Sequence, residues 1–309
     1  QNSCPVSQSE VELFTNAPTS TDVERGYHTH YQPVSNVEDG SIKFYVRNNQ
    51  NDYVDLLHSY LLMTLKVENG NGTDLAPDAE VAPVNNIGMT LFSQIDMSLK
   101  NTLVTYSSNT SHYRSCLETL LSYGSDTKHS QLTLGGWHSD TAGHFDTLTD
   151  ENAGYEKRKA MVARSSHFQV LTRLHTDMSL QGRYLLNGVD IHLRLVRNAN
   201  SLCLMAPADS NFKLKIIEAS LYLRKVKLSD ETQLRHIKKL DSGSVEALYP
   251  LSRTEVKSFK IPMGSLSCIE ENLYSGALPK KLIIGMVKNQ AYEGRYDKHP
   301  NSFQDFVLT

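Results

Sequence analysis

A chain of 309 residues, 39% hydrophobic and 21% charged, can bury roughly three quarters of its unfolded surface, enough for one large or two ordinary domains and unlike a disordered or fibrous protein. A formal net charge of −3 gives no global attraction for nucleic acid or an anionic membrane surface. No stretch reaches the ~18 apolar residues of a bilayer crossing, and the opening QNSCPVSQSEVELF lacks the basic start and apolar block of a secretory signal.

Cys4, Cys116, Cys203 and Cys268 lie far apart with no CxxC pair, so free thiols in a reducing compartment are expected rather than a zinc ribbon or disulfide scaffold. Sequons at Asn71 and Asn109 carry little weight without secretion.

In chain order, the first forty residues are polar apart from Val11 to Phe14, and residues 1–26 read as an N-terminal arm. A β-rich unit is expected over 27–228. It opens with the short run IKFYVRN and continues with YLLMTLKVE, where Leu61, Met63, Leu65 and Val67 alternate with more polar neighbours. Asn69 to Pro83 is a loop by its turn residues. In SQIDMSLKNTLVTYS, Ile95, Met97 and Leu99 recur at a period of two, and Lys100 and Asn101 are expected to turn a hairpin.

Ser111 to Tyr123 has a different period. Tyr113, Cys116, Leu117, Leu120 and Leu121 recur at three and four residues behind a Thr110 or Ser111 cap, which predicts an amphipathic helix closed at Gly124. The polar stretch from Gly124 to Ala153, with Gly135 and Gly136, exceeds ordinary connections, and loops of that size are usually functional or mobile. A brief helix carrying the basic run Glu156 to Lys159 follows. Strand patterns then return, with Val189, Ile191, Leu193 and Leu195 on one face, and the longest spans Phe212 to Leu228.

A capped polar helix, Ser229 to Leu240, ends at Gly243 and makes 229–243 a helical linker. Strand-like segments resume in VKSFKIPM and LPKKLIIGMVKN, so 244–309 reads as a second, incomplete β unit whose apolar LIIGMV edge would invite pairing. Many short strands, helices confined to connections and no βαβ alternation argue for an all-β sandwich or jelly roll.

Signals of chemistry are sparse. WHSDTAGHFD gathers His138, Asp140, His144 and Asp146 within nine residues, but its spacing matches no metal-ligand frame and its glycine would not sustain a helix. His28 and His30 project from one side of a strand and could chelate only weakly. Neither GxSxG nor a nucleotide-binding glycine pattern occurs. The basic clusters at 156–159 and Arg224 to Lys227 fit solvated faces. No catalytic, cofactor-binding or metal residue is therefore assigned, and no cofactor is expected.

The ordered phrases DYVDLLHSYLLMTLKV, APVNNIGMTLFSQIDMSLKNTLVT, SHYRSCLETLLSYG, RYLLNGVDIHLRLVR and LPKKLIIGMVKNQAYEG, followed by HPNSFQDF, resemble the hexon-like major capsid proteins of Maverick or Polinton elements and adintoviruses, including animal genomic homologues. The resemblance runs from about Val11 to the last residue.

It implies a double jelly-roll major capsid protein, a homotrimer forming pseudo-hexagonal capsomers of an icosahedral virion shell assembled inside the host cell. Its implied partners are neighbouring capsomers and penton or minor capsid proteins, without sequence-specific nucleic acid binding or a membrane span. The family continues past FQDFVLT to complete a second barrel, whereas this sequence stops after that barrel's opening strands. The loops Asn69 to Pro83 and Gly124 to Ala153 would form the outer tower and inter-subunit contacts. The alternative reading is a non-enzymatic β-sandwich recognition module for glycans or a cell-surface partner. A metal enzyme using His138, Asp140, His144 and Asp146 is a third.

Overall fold

The computed structural model describes residues 21–37, 40–48, 51–106, 108–243, 245–265, 268–271, 273–274 and 278–304. Its strands are β1 (Val23–Tyr31), β2 (Ser41–Val46), β3 (Tyr53–Asn69), β4 (Ala82–Pro83), β5 (Phe92–Leu99), β6 (Thr102–Leu103), β7 (Phe168–Thr172), β8 (Ile191–Arg197), β9 (Leu204–Met205) and β10 (Phe212–Leu228). Helices α1 (Ile87–Thr90), α2 (Ser111–Ser122), α3 (Ser125–His129), α4 (Ala153–Val162), α5 (Asn200–Cys203), α6 (Asp230–Asp241) and α7 (Asn289–Glu293) all lie in connections or after the last strand.

Two four-stranded sheets form, ordered β1-β10-β3-β7 and β2-β8-β5-β6, and every ladder is antiparallel. The order follows from one long ribbon rolled up. The first strand pairs with the last, β2 with β8, β3 with β7, and the β5–β6 hairpin closes the far end. Rolling then lays β10 beside β3 and β8 beside β5. Chain connections pass from sheet to sheet, which is the jelly roll. The short β4–β9 pair stands outside both sheets.

The alternation read in the sequence is what buries the interior. Leu61, Met63, Leu65 and Val67 of β3 and Leu221 and Leu223 of β10 face Ile42 and Phe44 of β2, Ile95 and Met97 of β5, and Ile191, Leu193 and Leu195 of β8 in one apolar cluster. In β10 the pairing slips between Ile216 and Glu218 and again between Tyr222 and Arg224. The first slip inserts Ile217 in β10 and resets its side-chain phase, whereas the second places its extra residues on β3, between Asp55 and Tyr60. Leu214 and Ile216 point inward, Ile217 is turned out, and the inward set resumes at Ala219.

The expected hairpin is present: Ser98 pairs with Leu103 and Leu99 with Thr102, with Lys100 at φ 53° in the turn. Helix α2 also forms where its period placed it, but it buries His112, Tyr113, Ser115, Cys116 and Thr119. Leu120 and Leu121 are exposed, contrary to the expected apolar face. No Thr110 side-chain cap bond forms, and that hydroxyl reaches Val256 O at 3.4 Å.

The stretch 124–153 is organised rather than featureless. It contains α3 and a turn of 3-10 helix at Gln131–Gly135, then Gly136 at φ 81°, where a Cβ would lie 2.5 Å from Ile87 Cγ2. Helix α6 forms close to its expected span, and Gly243 takes a positive φ after it.

The arm's residues 1–20, with Cys4 and the run Val11 to Phe14, lie outside the described residues. Val23 already pairs with Leu228, inside the span read as arm. Among the described residues of 245–288 there is no strand, so VKSFKIPM and LPKKLIIGMVKN carry no ladder here. Alternation supplies a face, but a strand also needs a run of backbone partners; among the described residues the second segment has the single bond from Gln304 N to Met286 O and no ladder. Their apolar side chains stay in solvent: Met263 is 104% exposed, Leu278 81% and Ile284 80%.

Candidate assembly surface and buried ion cluster

The four residues of WHSDTAGHFD are not brought together as ligands. His144 lies 3.3 Å from Glu151 at the surface, and Asp146 faces Lys298 at 3.4 Å. His138 is half-buried, and burial together with nearby Arg158 and Lys157 holds its imidazole below the usual range. Among the described residues no group of three His, Cys, Asp or Glu is arranged to hold a metal ion.

Asp140 alone turns fully inward, with its side chain 0% exposed, and meets Arg158, itself 1% exposed, at 2.6 Å. Helix α4 explains how a basic run delivers a buried guanidinium. Tyr155, Arg158 and Val162 recur at three and four residues on one face, and all three are buried. Arg158 donates through Nε to Pro83 O at 2.7 Å, through Nη1 to His138 O and through Nη2 to Asp140 Oδ1. It ties β4, loop and helix together.

Asn152 completes that corner, capping α4 by accepting from Tyr155 N while its Nδ2 donates to Asp140 Oδ1 at 2.9 Å and to His144 O. Burial raises the Asp140 carboxyl, but the imidazole of His299 3.3 Å away and the charge and hydrogen bond of Arg158 outweigh it and hold the group well below the usual carboxylate range. The expectation that the cluster at 156–159 is a solvated face is therefore corrected at Arg158. The same holds in the other basic cluster at Lys225, 2% exposed, with its ammonium over the Tyr31 ring.

Close packing at this corner requires a glycine, because a Cβ on Gly154 would sit 2.4 Å from Ser139 O and 2.8 Å from His138 O. Gly154→Ala is expected to destabilise the fold by about 1–3 kcal/mol through overpacking. Gly182→Ala, with nothing within 4 Å of its Cβ, should stay within about 0.5 kcal/mol. Urea midpoints of the two variants check this; equal midpoints would contradict it.

Nucleophile chemistry finds little support. Burial pushes the Cys116 and Cys203 thiols up to about 12, so neither supplies thiolate near neutral pH. His28 and His30 do share a face, but their rings lie against Tyr60 of β3 and Tyr222 of β10, and His28 Nε2 is 3.0 Å from His58 O.

What the surface offers is area. Ile261, Met263, Ile269, Leu278, Leu282, Ile283 and Ile284 are all exposed among the described residues of 261–284. The loop Asn69 to Pro83 is seated by Leu75, 5% exposed, whose N donates to Ser165 Oγ at 2.8 Å. Its tip, 71–74, projects. No helix among the described residues is long and apolar enough to cross a membrane.

No family model matches the sequence. An uncharacterized protein of Caenorhabditis elegans is 25% identical over 284 residues, covering 88% of this chain and 65% of the worm protein. A chain from the 3.5 Å cryo-EM structure of the Sputnik virophage superimposes with TM-score 0.50 at 11% identity, over 74% of this chain and 53% of its own. The mavirus major capsid protein aligns at TM-score 0.39 and 10% identity, over 80% of this chain and 54% of its own. The chain thus spans less than two thirds of each of these proteins. Strand order and the Sputnik superposition agree that the fold is an all-β jelly-roll sandwich.

Proposed function

We propose that this chain is a structural subunit of an icosahedral viral shell, and that three copies form a pseudo-hexagonal capsomer. The observation that carries the reading is the rolled ribbon β1-β10-β3-β7 over β2-β8-β5-β6, the fold shared with a chain of a virophage. A shell subunit needs rigid sandwiches and large interfaces rather than a reactive pocket. Inert buried thiols and a broad apolar surface at 261–284 suit that role.

In this proposal residues 27–228 form the first barrel, 229–243 the linker and 244–309 the opening strands of a second barrel of the Maverick, Polinton and adintovirus kind. Ile261, Leu282 and Ile284 are exposed here and would be covered where copies meet in the capsomer. The partners are the chain itself, neighbouring capsomers and penton or minor capsid proteins. The location is the virion capsid, assembled within the host cell.

Light scattering coupled to size exclusion tests the reading. A cyclic threefold assembly with heterologous interfaces burying well over roughly 2,000 Å² should elute at three times 34.7 kDa across a wide concentration range. A monomer at every concentration would count against the capsomer and favour a recognition module for glycans or a cell-surface partner.

A further inference from the structure

The geometry points to a two-part latch in which the strap 286–304 and the loop 138–152 close on each other through Asp140 and Asp146, tethering the far end of the apolar excursion 261–284 to the barrel. The latch rests on contacts within one chain and holds whether or not the chain builds a capsid.

The strap has little structure of its own. Its one helix, α7, is five residues long, yet Ala291, His299, Asn301 and Ser302 are buried at 2%, 1%, 6% and 5% exposure. They are buried by what they dock on. Tyr296 O accepts from Ala206 N, and Tyr296 Oη donates to Phe212 O, both at 2.9 Å. Tyr292 and Phe303 pack against the Tyr113 ring of α2.

The charged part of the docking to the loop 138–152 is divided between two carboxylates, and the division makes it a latch. Asp140 gives Oδ1 to Arg158 and Asn152 of its own barrel corner, and its Oδ2 lies 3.3 Å from His299 Nε2. Nδ1 of His299 accepts the Asn301 N–H at 3.1 Å, which leaves Nε2 as the ring nitrogen nearest Asp140. Asp146 also holds His299, accepting from its backbone N at 2.9 Å, and faces Lys298 Nζ. Phe145 meets the His299 ring edge-on.

With the strap away, Asp140 Oδ2 loses the imidazole that faces it in a site closed to solvent, so the loop is held shut in part by the strap. The strap in turn has no other buried charge to dock on among the described residues. At its near end the excursion is already fixed, since Arg183 Nη1 donates to Leu248 O, Tyr249 Oη to Tyr184 O, and Thr254 N to Asp177. The latch therefore adds to the Tyr296, Tyr292 and Phe303 contacts that hold the far end of the excursion.

Hydrogen exchange on the intact chain tests this through His299→Ala, Asp146→Ala and, as control, Arg295→Ala, whose side chain reaches only Asp297. Each of the first two variants should speed exchange about tenfold or more in both 138–152 and 288–304. Rates in β3 and β10 should stay unchanged, and the control should match the parent chain. Faster exchange in the strap with the loop at parental rates would overturn the latch. If His299→Ala unfolds the whole chain, Asp146→Ala decides alone, because that side chain is 23% exposed and among the described residues bonds only to the strap.

Discussion

Arg158→Ala is expected to cost about 3–5 kcal/mol of stability, because it strands the Asp140 carboxylate in a site where its side chain is 0% exposed. The guanidinium also satisfies the carbonyls of Pro83 and His138, which stay buried without a donor once it is gone. The paired change Asp140→Ala with Arg158→Ala should destabilise by less than the sum of the single changes, since neither charge is then left alone. Chemical denaturation of the three variants reads this directly. Additive losses would mean that the two groups do not stabilise each other.

Acid should weaken the fold through a different residue. His112 is 4% exposed, and burial pushes its imidazole down to about 4, whereas an unfolded chain holds a histidine near 6.5. Between those values the unfolded chain binds a proton that the folded chain refuses. The stability contributed by neutral His112 is thus fully present above about pH 6.5 and is lost as the pH falls toward 4, by about 3 kcal/mol in all. Asp140 acts in another window. Its folded-state value is depressed, so its contribution is present above the ordinary carboxylate range and fades only below about pH 4. His112→Leu should flatten the slope from pH 6.5 to 4 and leave the steeper acid limb in place. An unchanged slope in that variant would show that other groups drive the acid response.

The sequence made local periods legible and left their partners hidden. Leu61, Met63, Leu65 and Val67 point inward as their alternation required, and the Lys100–Asn101 turn forms between β5 and β6. That β1 would pair with β10 rather than with β2 depends on a ribbon closing across almost the whole barrel, and no window of residues records it. The bulge that turns Ile217 outward is hidden for the same reason, because it is a property of the β10–β3 ladder.

The buried ion cluster shows a similar divide. WHSDTAGHFD displays acids and imidazoles and so reads as a possible metal frame, but what fills Asp140 is Arg158, 18 residues on, and His299 from the strap. One signal was available. Arg158 falls on the same helical stripe as Tyr155 and Val162, which argues that this cation of the run EKRK turns inward. Nothing comparable marks His299, since the strap has no period and gains its place only by docking. The segments VKSFKIPM and LPKKLIIGMVKN show the converse, a strand-like pattern with no ladder to join among the described residues.

Imaging of the purified chain by cryo-EM tests the central claim most directly, because it sees both the barrel and the number of copies around it. Particles with threefold symmetry are expected, each copy contributing the jelly roll of β1-β10-β3-β7 over β2-β8-β5-β6, with the apolar side chains of 261–284 buried in the assembly. Single barrels in solution with that stretch uncovered, or a twofold pair joined through another face, would contradict it.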